Sequence, residues 1–265
     1  MDWHGLIRRL VIKTFPKRAL VQLKKMYYRR YLESLARNEP DLAVVKHLVS
    51  AADCVLDIGA NVGTYTLALA RMVGPQGCVL SFEPIAETFA ILSSNVSGYH
   101  LDNVKLVEVA LSSSDGPVAM EIPNWSNGGK NYYQSRIVAP DATSGSAHRV
   151  VAESRRLDTF FADLQQKRIT FVKIDVEGHE LEVLRGGEKV LRQHQPAMLL
   201  EASGNPDDIG GTVANLFALL ANMGYSPYWY DGKELRARRA GDRSTNYFFL
   251  TVTQLDEFHR NIARG

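Results

Sequence analysis

The sequence predicts an α/β protein: an open, mostly parallel sheet with helices on both faces, preceded by a helical extension. Three observations carry that prediction. From Cys54 onward, short apolar runs alternate with stretches of helical periodicity, the pattern of strand, crossover helix and parallel strand. The first run, Val55 to Ile58, passes directly into the glycine-bearing turn Gly59-Ala60-Asn61-Val62-Gly63, which opens a helical pattern. With 265 residues, 45% of them hydrophobic, the chain can bury the core of one large α/β domain.

The elements follow in order. Trp3, Leu6, Ile7, Leu10 and Val11 share one helical face, and Pro16 ends or kinks that helix. Leu20, Leu23, Tyr27, Tyr31 and Leu35 form a second stripe at helical spacing, closed by Pro40. The chain therefore divides into a basic amphipathic extension, residues 1–40, and an α/β domain, residues 41–265. Strands are expected at Cys54 to Ile58, Cys78 to Phe82, Val104 to Leu111, Thr170 to Asp175, Ala197 to Ala202, Tyr225 to Tyr230 and Tyr247 to Val252. Helices are expected near Thr64 to Val73, Ile85 to Asn95, Leu157 to Gln165, Glu180 to Arg192 and Thr212 to Met223. The Asn-, Gly- and Ser-rich stretch from Asn124 to Gly145 reads as a long inserted loop. Its Asn127, Asn131, Tyr132 and Tyr133 are placed to act as a lid or to form an irregular surface loop.

Charge is uneven. Ten of the 31 Lys/Arg precede Asn38, where only Asp2 and Glu33 oppose them, so the remainder is net acidic. That remainder is unfavourable for phosphate, and no nucleic-acid partner is expected. Cys54 and Cys78 cannot make a disulfide framework and lie in apolar runs, which points to a reducing compartment, the cytoplasm. No apolar run approaches the roughly eighteen residues of a membrane span, and no cleavable signal is visible. The extension can instead lie on an anionic membrane surface, giving a peripheral location, or pack on the domain as a cap. The sequence does not set the oligomeric state.

The first turn and the end of the second strand define a candidate cofactor site. Its residues are Asp57, Gly59, Ala60, Asn61 and Gly63, then Glu83 and Pro84, and Ala110 after the third strand. In an open α/β sheet these lie at the carboxyl edge, where ligands bind, and Glu83 can accept both hydroxyls of a ribose. A dinucleotide site would read G-x-G-x-x-G, but Asn61 stands where the second glycine admits a pyrophosphate. An adenosyl amino acid fits better, with its amino acid end at the Gly59 to Gly63 turn. The plain alternative is that the glycines only shape a tight connection.

The same landmarks make the chain resemble the FkbM-type methyltransferases. The resemblance runs through Val55 to Gly63, Phe82-Glu83-Pro84, Val109-Ala110-Leu111-Ser112 with Asp115-Gly116, and Leu157-Asp158. It is most specific at Phe171-Val172-Lys173-Ile174-Asp175-Val176-Glu177-Gly178-His179-Glu180, continuing through Leu184-Arg185-Gly186-Gly187 to Leu200-Glu201. The resemblance implies a seven-stranded Rossmann-like methyltransferase sheet whose last strand is antiparallel. It also implies S-adenosylmethionine as methyl donor and a hydroxyl on a small-molecule, sugar or glycolipid acceptor.

Asp175, Glu177, His179 and Glu201 are the candidate catalytic residues, gathered at neighbouring strand ends. His179 and Asp175 suit base or orienter, since methyl transfer needs a positioned hydroxyl and a place for its proton. Each has a plainer reading: His179 as surface polarity, Glu177 as a turn cap, Lys173 as an ion-pair partner. Asp175 and Glu201 also leave open a Mg²⁺ that would lower the hydroxyl pKa. Three other functions remain to be weighed. A nucleic-acid methyltransferase is motivated by the basic extension but lacks an Asn/Asp-Pro-Pro-aromatic motif. A nicotinamide-dependent oxidoreductase is opposed by Asn61. A non-catalytic binding module is opposed by the intact turn together with Asp175.

Overall fold

The computed structural model describes residues 17–124, 130–139, 147–162 and 168–264. Its main sheet is built from β1 (Cys54–Ile58), β2 (Cys78–Phe82), β3 (Val104–Val107), β8 (Ile169–Ile174), β9 (Ala197–Glu201), β10 (Ser226–Tyr230), β11 (Leu235–Ala237) and β12 (Asn246–Leu250), in the order β11-β10-β12-β9-β8-β1-β2-β3. β1 pairs in parallel with β2 and β8, and β12 runs antiparallel to both β9 and β10. The seven expected strands and the reversed last strand are thus present, with β11 added as a hairpin edge. The fold is a Rossmann-like methyltransferase sheet.

Both sheet faces are covered, which is why the central strands are buried on both sides and mainly apolar rather than alternating. Leu56, Ile58, Val172, Ile174 and Leu200 meet Leu157, Leu184, Leu191, Leu216 and Leu220 from α5 (Leu157–Ala162), α6 (Glu180–Gly186), α7 (Glu188–His194) and α8 (Thr212–Asn222). The alternate residues Val55, Phe171, Leu199 and Phe248 meet Val45, Leu69, Val73 and Phe258 from α2 (Leu42–Leu48), α3 (Thr64–Val73) and α9 (Val252–Arg264). Period-two side-chain alternation along each strand divides the core into these two layers.

Several expectations need correction. The third strand ends at Val107, and Ala110–Leu111 leave the main sheet as β4 to pair with β7 (His148–Arg155). β5 (Gly116–Ile122), β6 (Arg136–Val138) and β7 complete a second, four-stranded sheet; β6 falls inside the expected loop Asn124 to Gly145, and no strand was expected at β5 or β7. Asn127 lies outside the described residues. The helix expected across Glu180 to Arg192 breaks at Gly186-Gly187, and Gly186 is required there because a Cβ would lie 1.9 Å from the Ser112 carbonyl oxygen. Cys54 and Cys78, the register partners that open β1 and β2, form a disulfide instead of standing as free thiols.

Helix α1 (Lys17–Arg37) packs on α3 and α4 (Ala86–Gly98): Leu32 is buried with Val62, Leu67 and Ile91, flanked by Tyr28 and Tyr99. Burial of Leu32 contributes about 2 kcal/mol. The Tyr99 hydroxyl donates to the Arg29 carbonyl at 2.8 Å, and Arg71 pairs with Glu33. The packed face is therefore the one carrying Tyr28 and Leu32, not the Leu23-Tyr27-Tyr31 stripe, whose residues are exposed. The earlier stripe, Trp3 to Val11, lies outside the described residues. Among the described residues no helix is long and apolar enough to cross a membrane.

Candidate active site

The site begins at the turn after β1. Gly59 has φ +77°, and a Cβ there would lie 1.8 Å from the Asp175 carbonyl oxygen. Glycine is thus required by the close approach of the chain to the end of β8, in addition to the left-handed backbone. The Gly59 and Ala60 amides donate to the Phe82 carbonyl at 3.0 and 2.9 Å, which ties the turn to β2. Beneath it, Lys173 is buried and donates to the Gly59 carbonyl at 3.1 Å. The same ammonium lies 3.1 Å from Asp175 and 3.8 Å from Asp57, whose other oxygen accepts from the Thr66 hydroxyl at 2.6 Å. Burial opposes the charge on Lys173, but Asp175 and Asp57 outweigh it and hold its pKa above the ordinary lysine value.

Glu83 closes the neighbouring wall. Its two carboxyl oxygens accept from the backbone amides of Asn61 and Ile85, each at 3.0 Å, and each oxygen keeps acceptor capacity toward the cavity it lines. Burial pushes its pKa up to about 7, against the effect of those two amides. Beside it, Asn61 Oδ1 is buried and accepts no hydrogen bond from the described residues. A buried acceptor left open at a cavity wall calls for a donor, and a ligand is one source.

Two adjoining cavities of 220 and 210 Å³ meet over Gly59, Asn61, Tyr133, Asp175 and Glu201. The first is lined by Glu83, Pro84, Val109, Ala110, Glu177 and His179 among others, and the second by Glu39, Ala60, Tyr65 and Lys173. Five carboxylates (Glu39, Glu83, Asp175, Glu177 and Glu201) thus face the space against one ammonium, Lys173. Such a chamber favours a cationic ligand and disfavours phosphate.

At the acceptor end, Glu201 lines both cavities with Asp175; burial, then the Asp175 and Glu177 charges, push its pKa up to about 7. Glu177 has φ +55° and is pushed up to about 7, first by burial and then by Asp175 and Glu180. His179 Nε2 lies 2.9 Å from the Ser112 hydroxyl, and burial lowers its pKa, so the neutral ring is favoured. Glu180 is a cap, accepting the amides of Val176 and Gly178 at 3.3 and 3.0 Å. Among the described residues no group of three or more His, Cys, Asp or Glu side chains could hold a metal ion. Asp175 instead pairs with the Lys173 ammonium.

The structure thus brings Gly59, Ala60, Asn61, Glu83, Pro84, Ala110, Asp175, Glu177, His179 and Glu201 to the cavities. Asp57 and Gly63 lie behind the wall. Asp57 is fully buried under the turn, and Gly63 precedes α3 with φ +99°, where a Cβ would lie 2.8 Å from Leu92. Ser112, Glu39 and Tyr65 were not singled out from sequence. Ser112 stands within the Val109-Ala110-Leu111-Ser112 landmark. Glu39 was assigned to the extension, outside the domain. Asp158, by contrast, is a cap, accepting from the Val190 amide at 3.1 Å at the start of α7.

Comparison with known proteins agrees with this geometry. A "Methyltransferase 1" of Beauveria bassiana is 29% identical over 143 residues, half of this chain and 57% of that relative. The "2-O-methyltransferase NoeI" of Sinorhizobium fredii is 26% identical over 174 residues, 62% of this chain and 70% of its own. The "Hexuronic acid methyltransferase AglP" of Haloferax volcanii is 30% identical over 183 residues, 65% of this chain and 66% of its own. The chain thus spans little more than half the length of the first of these. The family described as "Methyltransferase FkbM domain" matches residues 57–227, from the carboxyl end of β1 to β10 and well over half of the chain, so the chain belongs to the FkbM methyltransferase family.

Proposed function

We propose that the protein is an S-adenosylmethionine-dependent O-methyltransferase acting on a hydroxyl of a sugar, glycolipid or other small-molecule acceptor. The observation that carries this reading is the carboxylate-lined chamber over Gly59, with Glu83 and the open Asn61 Oδ1 at one end and Asp175, Glu201 and His179 at the other. A donor bearing a sulfonium and an ammonium suits that charge balance. Glu83 would accept its ribose hydroxyls, and Asn61, Glu39 and the Gly59 turn would meet its amino acid end. Bound there, the donor supplies an electrophilic methyl group.

The chain's own residues then act on the acceptor. As the methyl group passes to the hydroxyl oxygen, the hydroxyl proton would pass to the protein. His179, held neutral by burial and hydrogen-bonded with Ser112, can take that proton, as can Asp175. Tyr132, Tyr133, Met120 and Ile137 line the same cavity and offer an apolar and aromatic wall for a glycosidic ring. The names of NoeI and AglP, which refer to 2-O-methylation and to a hexuronic acid, support a sugar hydroxyl as the acceptor class.

The test is calorimetric binding of S-adenosylmethionine, followed by transfer of labelled methyl to a panel of hydroxylated sugars and glycolipids. Cofactor binding with an acceptor mass gain of one methyl group is the expected result. Failure to bind S-adenosylmethionine, or binding without transfer to any hydroxyl while amine acceptors react, would overturn the proposal.

A further inference from the structure

Helix α1 has two unlike faces. Tyr28 and Leu32 hold it on the domain. On the other side Leu23, Met26, Tyr27 and Tyr31 are 44%, 70%, 54% and 48% exposed, at spacings that about 100° per residue brings onto one face. The Tyr27 and Tyr31 rings lie 4.7 Å apart, so the patch is continuous. The helix is already anchored by its opposite side, and a contiguous exposed apolar face of this kind marks an interaction surface. The helix that carries it has seven Lys/Arg and one acidic residue, Glu33.

We infer that this face of α1 is a docking surface for an anionic lipid membrane. Charge selects that occupant. A second copy placed face to face would bring two strongly basic helices together, and like charges oppose such a pairing. Residues 1–16 add Arg8, Arg9 and Lys13, so covering the patch with that segment would also concentrate positive charge. Anionic headgroups instead meet the basic side chains while Leu, Met and Tyr enter the interface, where tyrosine is favoured. The position fits a role in substrate access. The Tyr133 hydroxyl donates to the Tyr28 hydroxyl at 2.7 Å, and Lys24 sits 4.4 Å over the Tyr132 ring, both tyrosines lining the acceptor cavity. Just beyond the helix, Glu39 lines the second cavity. A membrane bound at α1 would lie next to the chamber that takes the acceptor.

Co-sedimentation of the full chain with phosphatidylcholine vesicles, with and without phosphatidylglycerol, tests the inference independently of methyl transfer. The parent is expected to bind only the anionic vesicles and to be released by salt. A variant carrying Leu23→Gln, Met26→Gln, Tyr27→Gln and Tyr31→Gln should bind them about tenfold or more weakly, with an unchanged Tm. The inference is overturned if the parent stays in solution with anionic vesicles, or if the variant binds them as tightly. It is equally overturned if the variant loses thermal stability, which would place part of this chain over the patch. Sedimentation velocity showing parent dimers that the variant abolishes would assign the face to a second copy and overturn it too.

Discussion

Lys173→Met removes the ammonium beneath the Gly59 turn and tests whether that turn is held electrostatically. The substitution keeps the length of the side chain but strands Asp57, which is fully buried and keeps one partner, the Thr66 hydroxyl. Breaking a buried pair on one side costs roughly 3–5 kcal/mol, because the remaining charge is uncompensated. At about 2–4 °C per kcal/mol for a chain of this size, Tm should fall by roughly 6–20 °C. The loss should depend on pH with a defined sign. Burial already raises the Asp57 pKa, and Lys173 is the largest influence opposing it, so the variant's Asp57 must titrate higher still. A carboxyl group with a folded pKa above its unfolded one makes the native state bind more protons, and stability falls as pH rises through that interval. The variant's deficit should therefore be smallest near pH 5 and grow toward pH 8, to be followed by thermal unfolding across that range. Adding Asp57→Asn should recover much of the loss at neutral pH, since the buried charge is gone. A variant within about 2 °C of the parent at every pH, or a deficit that widens on acidification, would refute the reasoning.

Other outcomes follow from the same contacts. Gly59→Ala should abolish soluble folded protein, because its Cβ would meet the Asp175 carbonyl, whereas Gly116→Ala, also at positive φ but with nothing within 4 Å, should cost only about 1 kcal/mol in chemical unfolding. Glu83→Ala should weaken S-adenosylmethionine binding about tenfold to a hundredfold, as read by calorimetry. In the parent that affinity should rise with pH through about 7 as Glu83 ionises, and unchanged affinity in the variant would remove Glu83 from the ribose. Asp175→Asn and His179→Ala should lower kcat by about 10²–10⁴ with little change in cofactor affinity, and wild-type turnover in both would end their assignment to proton transfer.

Legibility in the sequence followed burial. β1 is buried at all five positions and β9 at four of five, so each reads as an apolar run. The second sheet escaped because β7 alternates buried Ala152 and Ser154 with exposed Val151, Glu153 and Arg155, a weak period-two signal inside a polar stretch. Helix α9 was legible but not expected: Val252, Leu255, Phe258 and Ile262 recur at helical spacing, although only Phe258 is fully buried. The need for glycine at 186 could not be read from its neighbours, since it comes from the close approach of the Ser112 carbonyl, distant in sequence. At the site, residue types identified the chemistry but not the division of labour. Asp57 and Gly63 stand in the same short motif as Asn61, yet only three-dimensional packing turns the first two inward and Asn61 toward the cavity.

That division bears on where acceptor choice resides. Many motif residues face the frame: Gly186 fits against Ser112, Asp158 caps α7, Glu180 caps the turn after β8, and Lys173 with Asp57 supports the Gly59 turn. Of those that reach the chamber, Glu83 would serve the donor, while Asp175, His179 and Glu201 supply groups suited to any hydroxyl acceptor. The remaining acceptor wall comes from Met120 on β5, Ile137 on β6 and the Tyr132–Tyr133 segment between them, with α1 behind that segment through Tyr28 and Lys24. None of these belongs to a landmark. Substitutions there can reshape the wall without disturbing the turn or the lysine beneath it, so they should alter which acceptor is methylated while leaving donor binding intact. Exchanging Tyr133 for Leu while following donor affinity and acceptor preference separately would test that partition: a loss confined to donor affinity would assign Tyr133 to the cofactor side, where it also borders the second cavity.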